Sequence, residues 1–284
     1  MRLALPAVAL LAITLGLHQP SPTPPSSPAQ PAASAEPIAP ADLVTFQRGT
    51  LPIIICAPHG GTIRVPGSTD RTAKGSVTVR DVNTAEIALL CAQRLTDKLG
   101  GKPYFVIAQF SRKDADANRA EDEGVENDAA RAQYRAYHRA LEAAVKECRE
   151  KYGDALLIDI HGQVNRPDAL VRGTRNGKTV TALVKRAGQS ALTGPDSLFG
   201  QLKTKGYTVV PDLTTDDAEP DTATARETFF DGGYIVAHYG SDQPGGVDAI
   251  QIEIGADRSN NLVKVARDIA DAAAHTLKKF YKTP

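Results

Sequence analysis

The sequence contains no tryptophan, a single methionine and only three cysteines, and its charges cancel. Each shortage removes a class of function. Lys plus Arg number 33 and Asp plus Glu 33, so the chain lacks the basic excess with which a general nucleic-acid or anionic-membrane binder neutralises phosphates. With 7 Phe, 8 Tyr and no Trp, it is poor in the stacking platforms that bind single strands. Three cysteines build no paired disulfide framework, and none stands in a CxxC or Cys–His context. Cys56 and Cys91 are expected as buried thiols and Cys148 as partly exposed. No GxxxxGKS or GxxxxGKT run is present to cradle a nucleotide phosphate, and no Gly-x-Ser-x-Gly elbow to carry a serine nucleophile.

A long apolar run is missing as well. Arg2 is followed by about 15 mostly apolar residues, Leu3 to Leu17, short of the roughly 20 that span a bilayer. The pattern predicts a signal peptide over 1–20, then a Pro/Ala/Ser-rich linker over 21–44 that cannot build a core. The alternative, an uncleaved anchor, is weakened by Pro6 and by the brevity of the run. Ala33-Ser34-Ala35 offers a small-residue cleavage site, though far from the apolar run. The expected location is periplasmic or secreted, with no stable membrane span after processing. Residues 45–284, in a chain that is 42% hydrophobic, suffice for one large domain.

Within that domain two stretches share a design. Ile53-Ile54-Ile55-Cys56-Ala57-Pro58-His59-Gly60-Gly61 and Leu156-Leu157-Ile158-Asp159-Ile160-His161-Gly162 each read as a buried strand ending in His-Gly. Alternation puts Leu157, Asp159 and His161 on one face. An open α/β sheet delivers reactive side chains to its carboxyl edge in this way. Helical periodicity follows from Asn83, as N-cap of a capping box with Glu86, to Leu99, and again over Asp128 to Tyr152. Pro103 to Phe110 and Tyr207 to Val210 read as strands, Leu183 to Lys205 as a helix broken near Gly194-Pro195, and Tyr234 to Tyr239 as a further strand. Val247 to Ile254 is the last strand, with Ala249, Gln251 and Glu253 on one face, and Arg258 to Tyr281 a closing helix. Ser111 to Asn127 and the stretch around Arg166 and Arg172 read as polar loops. Strands alternating with helices predict a three-layer αβα sandwich with a mixed, mostly parallel central sheet.

His59, His161, one carboxylate and an open position would make a catalytic zinc site. A histidine at a strand end is otherwise a hydrogen-bonded structural residue. Asp81, before the helix cap, is a candidate third ligand, with Asp70 and Glu86 as competitors; a carboxylate at that place also suits the helix dipole without binding any metal. Asp159 could orient a ligand from behind. Arg112 and Arg119 follow a strand end, where a planar guanidinium suits a carboxylate or an oxyanion; a solvated charged loop is the plainer reading. His138 and His238 are read as packing residues.

Several ordered segments resemble the N-formylglutamate amidohydrolase family. They are Ala57-Pro58-His59-Gly60-Gly61, Asp81-x-x-Thr84, Ser111-Arg112 with Asp116-x-Asn118-Arg119, Tyr134-x-x-Tyr137-His138, Asp159-Ile160-His161-Gly162, Gly173 to Gly177, Gly232-Gly233-Tyr234 with His238-Tyr239-Gly240, and Gln251-Ile252-Glu253-Ile254. That family is related in fold to zinc carboxypeptidases and succinylglutamate desuccinylases. The resemblance implies Zn2+ held by His59, His161 and Asp81, Glu253 as general base, and Arg112 near the scissile carbonyl. It also implies Asn118 and Arg119 on the substrate carboxylate, with Arg172 and Tyr234 as further substrate contacts. Relatives commonly show His-x-x-Glu, where this chain has Thr62. The implied activity is hydrolysis of an amide in an N-acyl amino acid or a related small molecule or short peptide with a free carboxylate. A zinc carboxypeptidase or cell-wall peptide amidase is the alternative, and a non-catalytic zinc-binding relative a second.

Overall fold

The computed structural model describes residues 43–212, 226–228 and 230–283. The expected signal peptide, nearly all of the linker and most of the acidic stretch after Thr214 lie outside the described residues. Seven strands form one sheet: β1 (Val44–Gln47), β2 (Ile53–Ala57), β3 (Tyr104–Ala108), β4 (Leu156–Gln163), β5 (Ala169–Gly173), β6 (Thr208–Val210) and β7 (Asp248–Gly255). Their order is β1-β3-β2-β4-β7-β5-β6. The pairs among β3, β2, β4 and β7 are parallel, as is β5 with β6, while β1 and β5 join the sheet antiparallel.

Helices cover both faces. In chain order they are α1 (Thr84–Leu99), the short α2 (Glu121–Gly124), α3 (Asp128–Tyr152), α4 (Thr181–Ala187), α5 (Ser190–Thr193), α6 (Leu198–Thr204), α7 (Tyr234–Tyr239), the single turn α8 (Ala256–Ser259) and α9 (Leu262–Phe280). Strand alternation divides the core between them. Ile53, Ile55, Leu156, Ile158, Ile250 and Ile252 pack with α1, α6 and α9, whereas Ile54, Cys56, Leu157 and Ala249 pack with α3 and α7. The expected αβα sandwich with a mixed sheet is the observed fold.

Local departures from the sequence reading have physical causes. Asn83 sits at the N-cap of α1, but its backbone is left-handed (φ 66°) and its side chain donates to Ser259 O at 3.2 Å rather than capping. Glu86 pairs with Arg80, so no capping box forms. Tyr234–Tyr239 is helix, not strand. Its first amides are taken by side chains, Gly233 N by Gln251 Oε1 (2.8 Å) and Ile235 N by Asn118 Oδ1 (2.9 Å), which outweighs the β-branched composition. A strand, β5, stands where the sequence reads as polar loop. The Ser111–Asn127 segment is also no solvated loop, because Asp114, Ala115, Asp116 and Ala117 are buried. All three cysteines are free and buried, Cys148 included.

Candidate active site

The parallel ladder brings two reactive strand ends to one place. In the β4–β7 register, Asp159 lies opposite Gln251 and His161 opposite Glu253, while β2 sets Cys56 opposite Asp159. His59 follows β2 by two residues and reaches the same edge. The two imidazole centroids are 4.7 Å apart. Asp81 returns to this edge at the start of α1, and its Oδ2 lies 3.2 Å from Nδ1 of both His59 and His161. Gly162 N also donates to Asp81 Oδ2 at 3.2 Å. The competitors stand elsewhere, Asp70 beside Arg64 and Lys113 and Glu86 beside Arg80.

The far side of each ring is held by a second carboxylate. His59 Nε2 lies 2.6 Å from Asp116 Oδ1, and His161 Nε2 lies 2.9 Å from Asp159 Oδ2. When each Nε2–H donates to its carboxylate, both Nδ1 lone pairs converge on one point with Asp81. This carboxylate–histidine arrangement fixes the tautomer a metal ligand needs. The three ligand atoms lie within 4.8 Å of one another. The two 3.2 Å separations match the edge of a tetrahedron with roughly 2.0 Å bonds, about 3.3 Å. Two imidazoles and one carboxylate with an open fourth position suit zinc, so the residues fit the ion.

Burial and charge shape the protonation of the cluster. Burial works against ionised Asp81, but hydrogen bonds from His161 and His59 overcome it and hold the carboxyl well below the usual range. Burial likewise opposes Asp116, and the His59 ring, Arg112 and Arg71 hold it down. Burial alone would lower His161, yet Asp159 and Asp81 raise it well above an ordinary imidazole. Glu253 behaves in the opposite sense: burial pushes its carboxyl up to about 7. Its hydrogen-bond partner is Gln251 Nε2, at 2.8 Å.

A cavity of ≈ 580 Å³ opens over the cluster, lined among others by Arg112, Asn118, Arg119 and Glu253. Arg112 spends Nε on Asp116 Oδ2 (3.0 Å) and Nη1 on Asp81 Oδ1 (3.2 Å), so it braces both layers of the cluster. Asn118 is committed too, with Oδ1 on Ile235 N and Nδ2 3.4 Å from Gln251 Oε1. Any side chain at Gly233 would collide with the Asn118 amide. Arg119 is exposed at the cavity, and its guanidinium makes no hydrogen bond or ion pair among the described residues. Two expected substrate contacts stand apart from the cavity walls. Arg172 is buried with Glu227, Nε to Oε1 2.6 Å, and Glu227 also accepts from Thr174 N and Asn176 N. A buried pair of this kind persists because every charge has partners. Tyr234 stacks on His238, with centroids 5.0 Å apart. Asp116 is the residue the sequence reading left without a role; its one signal was its place in Asp116-x-Asn118-Arg119.

The loop carrying Asn118 and Arg119 rests on aromatic residues of α3. Tyr134 OH donates to Arg119 O at 2.8 Å, and His138 Nε2 donates to Ala117 O at 3.1 Å. His138 Nδ1 then accepts from Tyr239 OH at 3.0 Å, so the ring is neutral. Burial lowers its pKa from 6.5 to about 4. A histidine whose folded pKa is depressed contributes stability that is full above 6.5 and drains as pH falls toward 4. Urea unfolding at pH 6.5 and 4.5 is expected to show wild type losing about 2 kcal/mol more than His138→Gln. Equal losses in the two proteins would refute the assignment.

Fold and cluster together define an α/β protein with a candidate metal site of two imidazoles and a carboxylate at its sheet edge. More particularly, the family model described as N-formylglutamate amidohydrolase matches residues 125–258, which include His161 and Glu253. The resemblance read from the sequence therefore holds. No curated protein matches in sequence. Among solved structures, the chain is similar to an N-formylglutamate amidohydrolase from Ralstonia eutropha JMP134, at 18% identity and a TM-score of 0.57, covering 84% of this chain and 98% of that one. It is also similar to the gene product Atu2144 from Agrobacterium tumefaciens, at 15% identity and a TM-score of 0.50, covering 84% and 96%. At these identities the likeness is one of fold.

Proposed function

We propose that this chain is an exported, zinc-dependent amidohydrolase that cleaves the amide bond of an N-acyl amino acid or related carboxylate-bearing substrate. The observation that carries the reading is the convergence of His59 Nδ1 and His161 Nδ1 on Asp81 Oδ2, each ring backed by its own carboxylate. Bound there, zinc would supply Lewis-acid polarisation and lower the pKa of water from 15.7 to about 7. Glu253, one rung across from His161, takes the proton of the attacking water and passes it to the departing amine nitrogen. Gln251 Nε2 holds that carboxylate in place. Arg112, already paired with Asp81 and Asp116, keeps Nη2 for the charge that develops on the scissile carbonyl oxygen. Arg119 takes the substrate carboxylate and sets its register. The N-terminal pattern supports export, with the reaction then in the periplasm or outside the cell.

The test is hydrolysis of N-acyl glutamates by the purified chain, stopped by a chelator and restored by zinc. In the same assay Arg119→Ala is expected to raise KM about tenfold while kcat changes little, the mark of lost uniform binding. A zinc-loaded wild type inert toward every N-acyl amino acid would sink the proposal. A fall in kcat alone for Arg119→Ala would move that residue from carboxylate binding into the chemistry.

A further inference from the structure

Nine large hydrophobic side chains stand exposed among the described residues, and four of them line the cavity over the His–Asp–His cluster. These are Val77 (44% exposed), Val79 (73%), Val82 (60%) and Val164 (76%). Scattered apolar residues on a surface need no explanation, but a group at the mouth of one cavity does. The four come from two segments, the loop after β2 and the loop after β4. Those segments are tied together at the cluster, where Gly162 N donates to Asp81 Oδ2. Val82 directly follows Asp81 and Val164 follows Gly162 by one intervening residue, so both flank the chemistry. Val79 is fixed through its carbonyl, which accepts from Arg112 Nη1 at 3.4 Å. Valine has one stiff side-chain torsion, so a group of valines loses little conformational entropy when a ligand covers it.

The cavity thus offers three chemistries: the cation of Arg119, a polar floor of His59, Asp81, His161 and Glu253, and an apolar collar. A formyl group is a single carbon and would leave that collar in water. We propose that the preferred substrate is an N-acyl amino acid with an aliphatic acyl chain of several carbons. Its carboxylate meets Arg119 and its chain packs against Val77, Val79, Val82 and Val164. This rests on the hydrolase reading above and narrows it to a substrate class. A cavity of ≈ 580 Å³ falls within the range that takes a small organic ligand.

The test separates binding from turnover. Zinc-loaded Glu253→Gln protein is titrated calorimetrically with N-formyl-, N-acetyl-, N-butanoyl-, N-hexanoyl- and N-octanoyl-glutamate. Kd is expected to tighten about threefold per added methylene until the collar is filled, as burial of each CH2 requires. The double variant Val79→Ser/Val164→Ser, made in that background, should lose most of this gain. Val263→Ser, an exposed valine on α9 outside the cavity (63% exposed), should keep it. Affinity that is flat or weakens with chain length overturns the proposal, as does a gain that the double variant leaves intact. Wild-type turnover of the tightest-binding amide is read separately. Its absence while the binding series holds would refute the hydrolase reading and leave the collar standing.

Discussion

His161→Ala is expected to emerge from purification without stoichiometric zinc, whereas wild type retains one ion per chain after dialysis against a weak chelator. The loss should exceed the roughly 10–100-fold drop in affinity that follows removal of an outer partner. Asp159→Asn, which alters only the group behind His161, should fall within that smaller range. The alanine variant carries a structural cost as well. Asp159 is fully buried, and without the ring its remaining hydrogen-bond partner among the described residues is the Cys56 thiol at 3.3 Å. An uncompensated buried carboxylate costs about 3–5 kcal/mol, so the chain could lose metal by unfolding. Asp81→Asn removes the ligand charge at nearly constant volume and serves as the decisive partner experiment, with circular dichroism to confirm the fold. Full zinc occupancy in a folded Asp81→Asn protein would end the metal assignment.

Glu253→Gln is expected to cut kcat/KM about 10³-fold, within the span that a positioned acid–base group supplies, with zinc content and fold unchanged. The pH profile gives the sharper readout. A base must be ionised to act, and burial holds this carboxyl up to about 7. Wild-type kcat/KM should therefore fall on the acid side of a midpoint at or below about 7, since a bound cation draws a neighbouring carboxyl downward. The glutamine variant should lose that limb along with its rate. If it kept both, Glu253 would be a packing residue that happens to face the cavity.

The parts of this site that could be read along the chain are those encoded by local pattern. Ile53–Ala57 and Leu156–Gln163 are apolar runs that stop at His-Gly, and Asp128–Tyr152 has full helical periodicity between Asn127 and Gly153. Contacts between distant segments were harder. Asp81 could be named only as one of three acids, because nothing near it records that the loop after β2 returns it to the end of β4. Arg172 looked like an available cation beside the site; the glutamate that neutralises it lies 55 positions away. Ala169–Gly173 is too short, and too marked by that arginine, to announce a strand. Tyr234–Tyr239 has strand-like composition, and its helix depends on Asn118 and Gln251 from elsewhere. The export signal and domain boundaries remain readings of composition.

One consequence of the β4–β7 pairing concerns how such an enzyme could change. The proposed proton carrier and one imidazole occupy a single rung of neighbouring strands, so their spacing is written into the backbone of the sheet. The valines and Arg119 belong to connecting segments that the sheet does not constrain. Mutation can therefore redraw what enters the mouth while the reactive pair stays where it is, leaving new specificities within reach of a few loop substitutions.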